Sequence, residues 1–161
     1  MPVSFLRLLA GCSMELHFGQ IVVPYPEGVT SVDVARKLEE NYGLKATFYR
    51  IKQHQIESQY TQAILDMLKD AVRGVPIHPD PNIAFGKAND AVTQMFRDML
   101  NKRGFDGIVD GAPTLRAEMG ISRRFKSGFT TKKIKGKQVR ISRPSFIDTQ
   151  LYRNSSKTWV E

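Results

Sequence analysis

The chain has 161 residues, with 24 Lys/Arg against 16 Asp/Glu and a single cysteine. That length fits one domain, or one domain with an arm, and a 41% hydrophobic share is enough for a real core but not a rich one. One cysteine excludes an internal disulfide, so nothing points to an oxidising compartment, and no apolar run approaches the roughly 20 residues of a membrane span.

The charge is unevenly placed. Residues 116–161 hold twelve Lys/Arg against three Asp/Glu, a balance of +9, whereas residues 1–115 hold twelve against thirteen, a balance of −1. Between Met119 and Ile147 stand nine basic residues and no acid. Such a segment repels itself and needs an anionic partner or ample water. The expected organisation is a single domain, 1–161, with a basic arm at 120–145 inside it.

In chain order, Met1 to Ala10 has one Arg and an apolar stretch too short for a signal peptide. It reads as a strand or helix of the fold, with Cys12 a small buried hydrophobe. Glu15 to Val23 reads as a strand ending in Pro24, Tyr25 and Pro26. A helix follows over 31–42: Thr30 or Ser31 is a good cap, Asp33 sits in the first turn, Val34, Ala35 and Leu38 recur at helical spacing, and Gly43 suits the position after the end. Leu44 to Ile51 fits neither period. From Gln55 a helical stripe runs through Ile56, Tyr60, Ile64, Met67 and Ala71.

Val75 to Gly86 contains Pro76, Pro79 and Pro81, a density that argues for a surface loop without a helix. A third helix spans Asn89 to Lys102, capped by Asn89 or Asp90, with Val92, Met95, Phe96, Met99 and Leu100 on one face. A glycine-containing loop covers Phe105 to Pro113, and Thr114 to Met119 makes one helical turn before Gly120. Phe129 to Ile134 and Val139 to Ile141, with Lys135–Gly136 midway, read as a protruding β-hairpin rich in lysine. Isolated two-stranded hairpins are marginal in water, so this one needs a neighbour. Its lysines also protect against edge-to-edge aggregation. Asp148 or Thr149 caps a turn through Leu151 and Tyr152, and Lys157 to Val160 reads as a final strand. The fold class is therefore α+β: three amphipathic helices packed on a small antiparallel sheet, with a protruding basic β-hairpin and long loops.

Little in the sequence points to catalysis. His17, His54 and His78 are scattered and lack a second cysteine or a partner at i+3 or i+4, so no zinc set forms. No glycine-rich phosphate loop is present, and Gly86–Lys87 is followed by Ala88 where a hydroxyl would be needed. Asp106, Asp110 and Glu118 lie near the basic segment, as a Mg²⁺-dependent nuclease would require. Beside Gly107 and Gly111, however, these aspartates fit turn positions. No catalytic, cofactor-binding or metal-binding residue is assigned.

The basic arm is the candidate contact surface: Arg123, Arg124, Lys126, Lys132, Lys133, Lys135, Lys137, Arg140 and Arg143. Phosphates are one possible target, giving salt-dependent, sequence-independent affinity. Phe125, Phe129 and Phe146 are interleaved, either to stack on bases or, the favoured reading, to anchor the arm to the body. The alternative function on this basis is a small nucleic-acid-binding domain with a basic arm.

The most specific stretch is Arg143 to Ser155. Its Ile147, Asp148, Thr149, Arg153 and Ser155 match, in type and order, the closing motif of the tail-completion and head–tail connector (neck) proteins of tailed bacteriophages, and the chain resembles that family. The outline extends over 89–161, through the helix at Val92–Leu100, Thr114–Leu115 and the basic stretch Arg123–Arg143. Gln150 stands where the family has Gly, Leu151–Tyr152 is one residue out of step with its Leu-Arg, and Ser156 replaces a β-branched apolar residue. The resemblance implies a structural virion protein of the neck, present in the host cytoplasm during assembly. It implies a homo-oligomeric ring, a hexamer or a multiple, without enzymatic activity or cofactor. Its partners would be neighbouring neck, portal-side or tail proteins, with genomic DNA passing through the ring and no membrane. Lysines lining the channel would slow that DNA, so the arm is expected to face protein.

Overall fold

A computed structural model describes residues 14–25, 28–122, 126–146 and 150–161. The expectations for Met1–Ala10 and Cys12 lie outside the described residues. Near its two ends the chain forms an antiparallel ribbon: β1 (Leu16–Gln20) pairs with β4 (Ser156–Val160), in register from Leu16↔Val160 to Gln20↔Ser156. Between them come α1 (Ser31–Tyr42), α2 (Leu44–Val72), α3 (Pro81–Ala84), α4 (Gly86–Asn101), α5 (Leu115–Glu118), the strands β2 (Thr131–Ile134) and β3 (Lys137–Arg140), and α6 (Leu151–Ser155). The fold is α+β, with two separate two-stranded antiparallel sheets.

The core gathers around Phe96 of α4, whose side chain is fully buried. Phe18 of β1, Phe48 of α2, Phe105 and Tyr152 of α6 present their rings to it edge-on, at centroid distances of 4.8, 5.2, 5.9 and 6.1 Å. Edge-to-face pairs of this kind add to what their buried area contributes. Leu44, Val92 and Leu100 are among the aliphatic residues of the same cluster.

The start of α1 is a capping box: Asp33 N–H donates to Thr30 Oγ1 at 3.2 Å, and Thr30 N–H donates back to Asp33 Oδ2 at 3.0 Å. Gly43, at φ 55°, ends the helix as left-handed glycines do. The segment 44–51, which fits neither period in sequence, is the first two turns of α2. Its cap comes from the preceding helix: Glu39 accepts the N–H groups of Lys45 and Ala46 at 2.8 and 3.1 Å, and Leu44 and Phe48 are buried at i, i+4.

Three other expectations need correction. The strand expected to Val23 stops at Gln20, because the Ser31 hydroxyl donates to Ile21 O at 2.6 Å and accepts Val23 N–H at 2.9 Å. The proline-rich stretch does contain a helical turn, α3. Pro81 occupies its first position, where no N–H is needed, and Asp80 caps it through Asn82 N–H at 2.8 Å. The third long helix starts at Gly86, three residues early, with no side-chain cap; Asn89 is not its cap but a buried side chain facing α2.

Candidate partner-docking interface

The hairpin of β2 and β3 closes through Lys135 and Gly136, at φ 48° and 81°, the left-handed pair that a two-residue type I′ turn demands. All eight strand positions are exposed. Residues directly opposite share a face, and the register Thr131↔Arg140, Lys132↔Val139, Lys133↔Gln138, Ile134↔Lys137 sorts the side chains into two. One face holds Thr131, Lys133, Gln138 and Arg140. The other holds Lys132 opposite Val139 and Ile134 opposite Lys137, so its two apolar side chains lie on one diagonal and its two lysines on the other. The two β-branched side chains remain 45% and 42% exposed.

The foot of the hairpin is held firmly. Ile121 and Phe129 form a bridge, Thr130 N–H donates to Gly120 O at 2.7 Å, and Ile141 N–H donates to Thr130 O at 3.0 Å. The Arg140 guanidinium lies 3.3 Å from the Phe129 ring centroid, a cation–π contact that also covers one face of the ring. Arg143, half-buried, donates from Nε to Ile121 O at 2.7 Å and from Nη1 to Pro144 O at 3.1 Å. Phe146 packs edge-on to Tyr42 at 4.9 Å and Phe105 at 6.4 Å, the anchoring role expected for the arm's phenylalanines.

The nine basic residues thus fall into three groups. Arg123 and Arg124 lie outside the described residues, as does Phe125. Arg143 serves the foot. Lys126, Lys132, Lys133, Lys135, Lys137 and Arg140 are exposed, and none of them forms an ion pair among the described residues.

Of the closing motif, Ile147, Asp148 and Thr149 lie outside the described residues. Gln150 holds the N-cap position of α6 at φ 64°, so the position that is glycine in the family pattern is left-handed here even with a side chain. The side-chain cap expected from Asp148 or Thr149 lies outside the described residues. Arg153 donates from Nη1 to Asn101 Oδ1 at 2.8 Å. The buried Ser155 hydroxyl lies 2.7 Å from both Leu151 O and Gln20 Oε1. Both residues therefore fasten the terminal turn to α4 and β1. Sequence reasoning missed Arg97, whose Nη2 donates to Asn154 O and Ser156 O at 2.9 and 3.0 Å; it clamps the same turn from α4. An arginine on a helix face carries no sequence signal for that role.

The carboxylates offer little to a metal. Asp110 and Glu118 are exposed and Asp106 is half-buried, and no group of three or more His, Cys, Asp or Glu side chains converges among the described residues. No described helix is long and apolar enough to cross a membrane. Comparison with known proteins finds no matching family model, no similar curated protein and no similar solved structure.

Proposed function

We propose that this chain is a structural virion protein of the phage neck, a ring-forming tail-completion adaptor that joins head to tail. The observation that carries the reading is the hairpin. A two-stranded ribbon is marginal alone in water, yet this one has a fixed foot and leaves Ile134 and Val139, alternating with Lys132 and Lys137, exposed among the described residues. Such a face gains by docking on a surface that sets apolar side chains beside acidic ones, where charge complementarity guides assembly. The closing motif adds the family resemblance. In this reading the partners are sibling subunits and adjoining neck, portal-side or tail proteins, and the chain performs no catalysis.

The test is charge reversal of Lys132, Lys133, Lys135 and Lys137 to Glu. The variant keeps its circular dichroism spectrum and melting transition, while particles assembled with it lack a joined tail. Native mass measurement of the wild-type chain, alone and with neck partners, gives a ring; the variant stays monomeric. A normal yield of joined particles from the variant refutes the docking role.

The six exposed cations, without carboxylate partners among the described residues, favour a second reading, nucleic-acid binding. Six phosphate contacts on duplex DNA would give a log–log salt slope of about −5. Arg140 over Phe129 weighs against base stacking, because one ring face is already occupied. Filter binding across a salt series separates the two readings: a steep loss of affinity supports nucleic acid, and flat, weak retention supports protein docking.

A further inference from the structure

The β1–β4 ribbon is closed along one edge and open along the other. In an antiparallel pair, successive residues turn their backbone groups alternately toward the partner strand and away from it. Glu15 and Glu161 exchange both backbone bonds, at 2.8 and 3.0 Å, and Ile21 N–H donates to Ser155 O at 2.7 Å. The outward groups therefore belong to Leu16, Phe18 and Gln20 on β1, and to Ser156, Thr158 and Val160 on β4. Side chains of the helical layer take three of those on β4. Thr158 N–H donates to Thr93 Oγ1, Val160 N–H donates to Asn82 Oδ1, and Ser156 O accepts from Arg97 Nη2, each at 3.0 Å. On β1 the outward backbone groups of Leu16, Phe18 and Gln20 meet no partner among the described residues. An edge left in this state is a template for another strand.

A groove of about 520 Å³ runs beside that open edge, with Gly19 and Gln20 on one side and Val32, Ala35, Arg36 and Glu40 of α1 on the other. Arg36 and Lys45 line it together with Glu39 and Glu40, so its formal charges balance, but they are not equally engaged. The Glu39 carboxylate is spent on capping α2, and Arg36 is shared with Asp33 at 3.7 Å. Lys45, which also lines the groove, is half-buried, with its ammonium 5.5 Å from the Phe18 ring centroid. It forms no ion pair among the described residues. Burial pulls its pKa down, against the weaker opposing pull of Glu39.

We propose that the outer edge of β1 is a docking strand for an extended, acidic segment of a different polypeptide, which adds a third strand to the ribbon and sets a carboxylate on Lys45. Backbone bonds to Leu16, Phe18 and Gln20 supply the affinity, as in strand addition generally, and the Lys45 contact supplies the selectivity. The hairpin of a second copy is a poor occupant, because residues 131–140 contain no carboxylate to set on Lys45. The site is separate from the hairpin and does not depend on the role assigned to that element.

The experiment titrates the full chain with two blocked pentapeptides, Thr-Val-Glu-Val-Thr and Thr-Val-Lys-Val-Thr, followed by amide NMR. The acidic peptide shifts and protects the amides of Leu16, Phe18 and Gln20 while sparing those of His17 and Gly19, and it binds at least tenfold more tightly than the basic one. Lys45→Glu reverses that preference; the exchange places an acid in the first turn of α2, where it suits the helix dipole. Should that variant fail to fold, Lys45→Gln abolishes the preference instead. Unchanged Leu16, Phe18 and Gln20 amides at millimolar peptide, or equal binding of the two peptides, overturns the proposal.

Discussion

The Tyr60 hydroxyl donates to Oδ1 of Asn89 across 2.6 Å, tying the middle of α2 to the first turn of α4. Asn89 is only 6% exposed, so its oxygen has no ready substitute for this donor. Tyr60→Phe therefore leaves a buried acceptor unpaired and costs about 1–3 kcal/mol of stability. Urea unfolding measures the loss as a lower midpoint at an unchanged slope.

The same tyrosine sets a limit in alkali. Burial pushes the Tyr60 phenol up to about 12, and burial likewise raises that of Tyr152. In the unfolded chain both titrate near the ordinary value of about 10. Above that pH the unfolded state releases protons that the folded state retains, so stability falls as pH rises. Their contribution is whole below pH ~10 and is lost progressively toward pH 12. Thermal melts between pH 9 and 12 show a falling midpoint, and Tyr60→Phe flattens the fall.

Phe96 is the hub of the aromatic cluster, meeting Phe18, Phe48, Phe105 and Tyr152. Phe96→Ala opens a cavity among rings drawn from β1, α2, α6 and the loop after α4, and costs about 3–5 kcal/mol. Chemical denaturation reads the difference; a loss below 1 kcal/mol would mean that the cluster repacks freely.

Gly120 controls the hairpin's foot. It sits at φ 66°, and a Cβ there would run into the Ile141 carbonyl. Gly120→Ala loosens the hairpin from the body while leaving the aromatic core in place. In amide NMR the Thr131–Arg140 signals shift and broaden, and those of α4 stay. Conversely, Lys135→Asn relieves the cost of a left-handed lysine at the turn and raises protection of the hairpin amides.

Gly19 packs against the ring of Trp159, the chain's single tryptophan. That ring stacks on His17 with centroids 5.4 Å apart. Gly19→Ala forces the indole away, and tryptophan fluorescence records the change as a shifted emission maximum in an otherwise folded protein.

Particular residues show how far local chemistry can be read from the sequence. Thr30 and Asp33 announce their capping box, and Lys135–Gly136 announces its turn, because both rest on neighbours a few positions apart. The stripe from Val92 to Leu100 announces a buried helix face, because its period is local. The start of α2 is different. Leu44 to Ile51 lacks a cap of its own, and the helix forms there because Glu39 reaches across from α1. Asn89 reads as a cap until Tyr60, 29 positions away, claims its side chain. The candidate interface divides the same way: the run of lysines is plain in the sequence, whereas the placing of Ile134 and Val139 on one face depends on strand register.

By itself the sequence determined the α+β class, the bounds of α1 and α5, the basic hairpin and its turn, since each follows from spacing, propensity or charge within a short span. Only the tertiary structure decided that Arg143, Arg153 and Ser155 bind the chain to itself, that Thr93, Asn82 and Arg97 close one edge of the terminal ribbon, and that the edge of β1 stays open. Those outcomes depend on which groups meet after the chain has folded back over tens of residues. A hydrogen bond is decided by angstroms of separation in space, and no local pattern encodes that.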